Sequence, residues 1–404
     1  MRQPPTVALV GVHGHGRWHL GRIAELEQAG RLRLVAVADP RPPEPGTLPA
    51  GVKRHDTLDA LLAAPDGPGR PDGPPDITLI ATPTPTHFAL AEAALRAGSD
   101  VLLEKPPVTG LAQLAELRET AAETGRLVQV GFQSLGSAAL PLLRTLLAAG
   151  AIGEVTGVGA AGAWCRPESY WQRAPWAGKR WLSDGVPALD GALTNPFAHS
   201  IVTALAVLGK DAMARIPAKT ELELFHANPV EADDTSAVRI ELPDAPPILV
   251  AVSLCAPQPT QIDPWVRVRG TEGEAVFHYT TGHLSVTGSG FGPGFGSRSR
   301  SGVEELDQTF PEADLLANLL DHRERPDEVP LMVPLEDTTG FTAVLEAVRD
   351  APEPRAIGEQ YVSEEDFQVG RATTVRGIVD LVQSCAREQK LFSEAGAPWA
   401  LREH

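Results

Sequence analysis

Six consecutive residues near the amino terminus, Gly11-Val12-His13-Gly14-His15-Gly16, mix glycines with imidazoles. Glycines in such a run let the backbone turn tightly and approach a phosphate, whose charge the N-terminus of a following helix can hold. Asp39 closes an apolar run about twenty residues later, where a carboxylate accepts hydrogen bonds from adenosine ribose hydroxyls. The ligand that fits Gly11, His13, Gly14, His15, Gly16 and Asp39 is a dinucleotide. NAD(H) is preferred because Asp39 repels a 2′-phosphate, while Arg41, two residues on, leaves NADP(H) possible. His13 stands where the middle glycine of GxGxxG belongs. Either the loop shifts its register onto Gly14 and Gly16, or His13 itself borders the pyrophosphate, or these are polar loop residues without a special role. His13, His15 and His19 also form an HxHx₃H array. Metal ligands of that spacing need a regular strand and a carboxylate or further histidine to complete the shell. Glycines interrupt this one, so no metal is expected.

A second candidate is Glu104-Lys105, directly after the strand-like Asp100–Leu103. Open α/β sheets place ligands at the carboxyl ends of their strands, and a cation there stabilises an alkoxide developing during hydride transfer. The alternative is a solvated charge pair at a strand end. A third candidate is the run from Tyr170 to Trp181, whose Trp171, Arg180 and Trp181 supply aromatic faces and hydrogen-bonding tips suited to a sugar or polyol. Tryptophans cement such segments against a core equally well.

The elements that must position these residues alternate over the first 130 or so positions. Strands are expected at Thr6–Gly11, Leu32–Ala38, Asp76–Ala81, Asp100–Leu103 and Leu127–Phe132. Helices are expected at Arg17–Ala29, His87–Ala97 and Leu111–Thr124, the first two closed by Gly30 and Gly98. This alternation predicts an α/β Rossmann domain with a parallel sheet over 1–130. Pro40–Pro49 and Pro65–Pro75 read as surface loops. Beyond residue 150, strands at Thr235–Leu242, Ile248–Leu254, Trp265–Arg269 and Glu274–Tyr279 follow one another through short turns. Helices are expected at Pro196–Leu208, Ala313–His322, Phe341–Val348 and Thr373–Glu388. The remainder, 131–404, is expected to be an α+β domain with a large, mostly antiparallel open sheet. Gly288–Gly302 reads as a flexible loop, and Pro326–Glu365 as irregular apart from the helix at Phe341–Val348. Ile248–Leu254 is apolar on both alternations, which calls for two covered faces and suggests a homodimer or homotetramer.

Bulk composition narrows the function classes. A net charge of −17 and six scattered lysines argue against nucleic acid, which demands a basic face. Three distant cysteines suit a reducing compartment, and no apolar stretch reaches the ~20 residues of a membrane span. A cytoplasmic address with no membrane partner is the expectation.

Several of these motifs together resemble the glucose–fructose oxidoreductase / inositol dehydrogenase / MocA (Gfo/Idh/MocA) family. They are the glycine turn with Arg17-Trp18-His19, Val37-Ala38-Asp39, Ala81-Thr82-Pro83 with His87, and Glu104-Lys105-Pro106. The likeness continues through Val130-Gly131-Phe132-Gln133, Gly150 to Val155, Trp176-Ala177-Gly178 and His199. It implies that Thr82, Pro83, His87, Glu104 and Lys105 border the cofactor and Gln133 the substrate. It further implies that Lys105 lies beside the nicotinamide, and that the second domain adds a catalytic histidine, His199, oriented by a carboxylate four residues earlier. Here that position is Asn195, which also reads as the N-cap of a helix opening with Pro196. The implied activity is hydride transfer between NAD(H) and a secondary alcohol or ketone of a sugar or cyclitol. Transient use of retained NAD, as in glycosidases or epimerases, and cofactor binding for regulation without turnover are the alternatives.

Overall fold

The computed structural model describes residues 3–64, 73–290, 297–298 and 304–401. The loop expected at Pro65–Pro75 lies largely outside these residues, as do residues 291–296 and 299–302 of the one expected at Gly288–Gly302. The chain divides into two compact units, Met1–Phe132 with Asp314–Thr338, and Gln133–Ala313 with Thr339–His404. The sequence reading sets the division at 130. The second unit, however, is not one continuous run, because residues 314–338 return to the first.

The first unit contains strands β1 (Thr6–Val10), β2 (Arg33–Ala38), β3 (Lys53–His55), β4 (Ile77–Ile80), β5 (Asp100–Leu103) and β6 (Val128–Val130). Its helices are α1 (His15–Gln28), α2 (Leu58–Leu62), α3 (His87–Arg96) and α4 (Leu111–Thr124). The strands lie in the order β3-β2-β1-β4-β5-β6 and every pair is parallel. Strand order reverses between β1 and β4, and the crevice beyond their carboxyl ends is where such sheets bind ligands. The central strands β1 and β4 are buried throughout, as strands of a parallel sheet covered on both faces are, whereas the edge strand β3 is Lys53-Arg54-His55 and partly exposed.

The returning segment completes this unit at β6. Val130 donates its N–H to the Val333 carbonyl, and the buried Gln129 amide bonds Val333 N, Leu315 O and Asn318 Oδ1. Helix α9 (Leu315–Glu324) adds Arg323, which pairs with Asp76 and Asp100 at the starts of β4 and β5.

The second unit is built on a ten-stranded sheet. Its early elements are α5 (Ala139–Ala148), β7 (Val155–Ala163), α6 (Glu168–Trp171), α7 (Ala198–Val207), α8 (Lys210–Ala214), β8 (Lys219–His226) and β9 (Thr235–Glu241). There follow β10 (Ile248–Ser253), β11 (Ile262–Gly270), β12 (Gly273–His278), β13 (His283–Gly288), β14 (Ser297–Arg298) and β15 (Glu304–Thr309). The chain ends with α10 (Thr339–Asp350), β16 (Arg355–Ala356), β17 (Val362–Phe367), β18 (Gly370–Val375) and α11 (Ile378–Glu388). Sheet order is β14-β15-β13-β12-β11-β7-β10-β9-β8-β16, antiparallel except at β7–β10 and β8–β16.

Strand β7, sequence VTGVGAAGA, lets helices close in from both sides. A Cβ on Gly159 would strike the Ala386 carbonyl of α11, and one on Gly162 would strike the Phe197 ring just before α7. Neighbouring β10 is buried along its whole length, with Leu249 and Ala251 packed in the cluster that holds Ile378, Val382 and Cys385 of α11. Its apolarity on both alternations is thus satisfied within the chain, and gives no reason of its own for a second subunit. The helix expected over Thr373–Glu388 is corrected at its start: Gly370–Val375 pairs as β18 with β17, and Gly377, at φ 71°, separates it from α11.

Candidate functional site

In the first unit the glycine turn forms a cradle that side chains would fill. Gly11 leaves β1 at φ 86°, and a Cβ there would stand 2.5 Å from the Ala81 carbonyl oxygen beyond β4. A Cβ on Gly16 would collide with the Gly11 carbonyl, so α1 can approach the strand only with glycine there. Gly14 takes φ 56° as N-cap of α1, with open space around it. His13 turns toward the loop after β2, its Nε2 3.4 Å from the Arg41 carbonyl oxygen. The left-handed position therefore falls on Gly14, one residue later than GxGxxG spacing places its middle glycine.

Asp39 is buried and holds this turn. One carboxylate oxygen accepts from Val12 N at 3.0 Å and the other from Arg41 N at 2.9 Å. Each oxygen keeps a further lone pair for a ribose hydroxyl. The largely exposed Arg41 guanidinium lies 4.0 Å from the same carboxylate. A tight glycine cradle with a buried acid at the end of β2 fits a dinucleotide. Gly11 to Gly16 would hold its phosphates and Asp39 its ribose.

Glu104 follows β5, its N–H bonded to the Ile80 carbonyl. Its buried carboxylate takes His19 Nε2 at 2.8 Å and His15 Nε2 at 3.3 Å on Oε1, while Oε2 accepts from Lys105 N at 3.1 Å. Burial by itself raises this carboxyl's pKa, but the hydrogen bonds from His15 and His19 outweigh it and hold the group well below the usual carboxylate range. Gly131 makes room, since a Cβ there would lie 2.8 Å from Glu104 Oε1. Half-buried Lys105 is joined to Pro106 by a cis peptide.

His87 ties the two loops of this crevice together. Its ring sits buried between the Pro106 carbonyl at 2.6 Å and the Thr82 carbonyl at 2.7 Å. Burial pushes its pKa down, and the two carbonyls oppose this without overcoming it. Neutral imidazole donates to only one of them at a time. Thr82 and Pro83 lie in the same turn, where Thr86 Oγ1 donates to Thr82 Oγ1 and to the Pro83 carbonyl.

In the second unit His199 stands in the first turn of α7, its Nδ1 3.0 Å from Ser134 Oγ, which also accepts from Thr203 Oγ1. Its ring lies 6.0 Å from that of Tyr279, whose hydroxyl meets Ser200 Oγ at 2.9 Å. Asn195 is not a helix cap: α7 begins at Ala198 with Phe197 before it. Asn195 Nδ2 instead donates to Asp190 Oδ1 at 2.6 Å. Asp190 is buried, accepts from Arg173 Nη2 at 2.7 Å on both oxygens, and accepts from Gly178 N. Arg173 in turn lies over the rings of Tyr170 and Trp176.

The remaining sugar-facing candidates have varied placements. Arg180 is buried and its guanidinium donates to the carbonyls of Val348, Arg349, Ala351 and Pro352, closing the C-terminus of α10. That corrects its reading as a substrate contact. Trp181 is exposed, and Trp171 is half-buried with its indole N–H lacking a hydrogen-bond partner. Gln133 opens the turn Gln133–Gly136 ahead of Ser134. Sequence reasoning missed Ser134, Asp190 and the union of His15, His19 and Glu104. Only the i, i+4 spacing of the two histidines hinted at the last of these.

Strand order, glycine cradle and buried acid together define a dinucleotide-binding oxidoreductase fold joined to a large mixed sheet. Residues 6–132 match the family model of oxidoreductases with an NAD-binding Rossmann fold, and residues 142–276 match the GFO/IDH/MocA C-terminal domain. The chain belongs to the GFO/IDH/MocA family, and its first unit is the NAD-binding Rossmann domain of that family. Among curated relatives, the uncharacterized oxidoreductase YdgJ of Escherichia coli is 32% identical over 162 residues, 38% of this chain and 44% of that one. The inositol 2-dehydrogenase of Streptomyces avermitilis is 34% identical over 155 residues, 38% of this chain and 43% of that one. The matches thus span less than half of these relatives. Among solved structures, the WlbA dehydrogenase from Bordetella pertussis, in complex with NADH and UDP-GlcNAcA, superposes with TM-score 0.64 at 19% identity, covering 87% of this chain and 98% of that one. A putative oxidoreductase from Erwinia carotovora atroseptica gives TM-score 0.66 at 18% identity, covering 88% and 100%. At these identities the likeness speaks for the fold alone. No helix among the described residues is long and apolar enough to cross a membrane.

Proposed function

We propose that the protein is an NAD(H)-dependent oxidoreductase acting on a secondary alcohol or ketone of a sugar or cyclitol. The observation that carries this reading is Lys105 at the carboxyl end of β5, in the turn that Glu104 and His87 anchor from either side. Bound NAD⁺ supplies the acceptor for a hydride. Lys105 offers its ammonium to the substrate oxygen, where negative charge develops as the C–H bond breaks. In the second unit, His199, whose Nδ1 lies 3.0 Å from Ser134 Oγ, is the candidate base. The carboxylate of Asp39 favours NAD(H), and exposed Arg41 leaves room for weaker use of NADP(H).

Incubation with NAD⁺ and a panel of sugars and cyclitols should yield NADH with at least one of them. Lys105→Ala should lower kcat by ~10²–10³-fold, as loss of a group acting on transition-state charge does. Cofactor affinity should stay within about an order of magnitude, because the glycine cradle and Asp39 remain. Unchanged kcat in Lys105→Ala would remove this residue from the reaction. Turnover without net NADH would instead favour transient use of a retained cofactor.

A further inference from the structure

We propose that His15, His19 and Glu104 form a binding site for a first-row divalent cation of the zinc type. The three ligand atoms, His15 Nε2, His19 Nε2 and a Glu104 carboxylate oxygen, all lie within 4.8 Å of one another. Both imidazoles converge on the same oxygen, at 3.3 and 2.8 Å. The two histidines are one helical turn apart on α1, so their side chains share a face. The fold then supplies what the histidine array lacked, a carboxylate 85 residues further along the chain from His19. His13, the other member of that array, lies apart, against the Arg41 carbonyl.

Two imidazoles and one carboxylate are the donor set of open zinc sites, in which a fourth position is left to water or a ligand. Metal–ligand bonds of ~2.0–2.1 Å in a tetrahedron hold neighbouring ligand atoms roughly 3.3–3.4 Å apart. The His15–Glu104 separation, 3.3 Å, already has that value, His19 at 2.8 Å needs to withdraw slightly from the carboxylate, and the two imidazole nitrogens, within 4.8 Å of each other, adjust around the ion. The surroundings favour a held ligand set. Glu104 and His19 are buried, and Oε2 of Glu104 is fixed by Lys105 N, which leaves Oε1 to face the imidazoles. Ligating carboxylates are themselves hydrogen-bonded in this way. The His15 ring stacks on Trp18 with an interplanar angle of 9°. Its side chain is 49% exposed, so a cation enters from the His15 side and keeps a coordination position toward solvent. The nitrogen ligands select against Mg²⁺ and Ca²⁺, which take oxygen.

The test uses the full chain, stripped with a chelator and titrated with Co²⁺. Visible absorption of tetrahedral cobalt should rise to a plateau at about one equivalent, be displaced by Zn²⁺, and be untouched by Mg²⁺. His15→Ala, at the half-exposed ligand, should weaken cobalt binding by at least about tenfold. Glu104→Gln should do the same, whereas His13→Ala should bind as the parent does. Circular dichroism separates loss of a ligand from loss of the fold, and His15→Ala keeps the test open should Glu104→Gln unfold. No cobalt band at micromolar metal overturns the proposal. So does a band that survives both His15→Ala and Glu104→Gln, which would place the metal elsewhere. Because binding is read without turnover, the result stands whether or not the chain oxidises a sugar.

Discussion

Glu104 and Asp190 are buried carboxylates with three or more donors each, and their partners give them different work. Asp190 faces a guanidinium, a backbone N–H and the Asn195 amide. Arginine is always charged and has no lone pair to offer, so this group is a fixed strut that holds Arg173 over its aromatic rings. Glu104 faces two imidazoles and the Lys105 backbone. An imidazole ring nitrogen can bind a metal, so the same burial yields a centre that can take up a cation. Partner chemistry, more than burial, separates scaffold from site.

The largest effect expected from breaking this contrast lies at the strut. Asp190→Asn leaves the Arg173 guanidinium, only 25% exposed, without its counter-charge. Loss of one partner of such a pair costs about 3 kcal/mol or somewhat more. Urea unfolding should register it, and a loss under ~1 kcal/mol would class the pair with surface salt bridges.

A smaller loss is expected for Asn195→Asp, which would set a second carboxylate against Asp190 Oδ1. Replacing a donor by a like charge there should cost on the order of 1–3 kcal/mol. A family carboxylate orienting His199 would predict the opposite: retained stability and a moved acidic limb in the pH–rate profile. Measuring both stability and kcat/KM against pH distinguishes the two.

The smallest effect is confined to acid. The Glu104 carboxyl is depressed in the folded chain, so its contribution to stability is full above the ordinary carboxylate pKa and fades as pH falls through the folded value. Glu104→Gln has no such proton to take up. Its thermal midpoint should therefore fall less steeply than the parent's between about pH 5 and pH 3. Parallel slopes would show that Glu104 is not depressed by its histidines.

Local chemistry decided which parts could be read in advance. Leu111–Thr124 and Asp100–Leu103 were legible to the residue, one an amphipathic run closed by left-handed Gly125, the other a short apolar run. Strand β7 was not, because VTGVGAAGA carries little β-propensity and is a strand by virtue of the helices that close over it. Thr373-Thr374-Val375 shows the converse: its β-branched residues spell a strand, but the amphipathic helix beginning at Ile378 overshadowed them. In the candidate site, the glycine turn and Asp39 were legible as neighbours of a strand end. The meeting of Glu104 with His15 and His19, and of Asn195 with Asp190, depends on tertiary placement that spacing does not encode.

The segment 314–338 has a practical meaning for anyone wishing to excise the cofactor module. A fragment ending at Phe132 would carry every residue of the glycine cradle, yet expose the flank of β6 and strand the Gln129 amide without Val333, Leu315 and Asn318. Asp76 and Asp100 would lose Arg323 as well. The portable unit is a two-piece one, residues 1–132 spliced through a short linker to 314–338, and a deletion series trimmed by sequence homology alone would cut it in the wrong place.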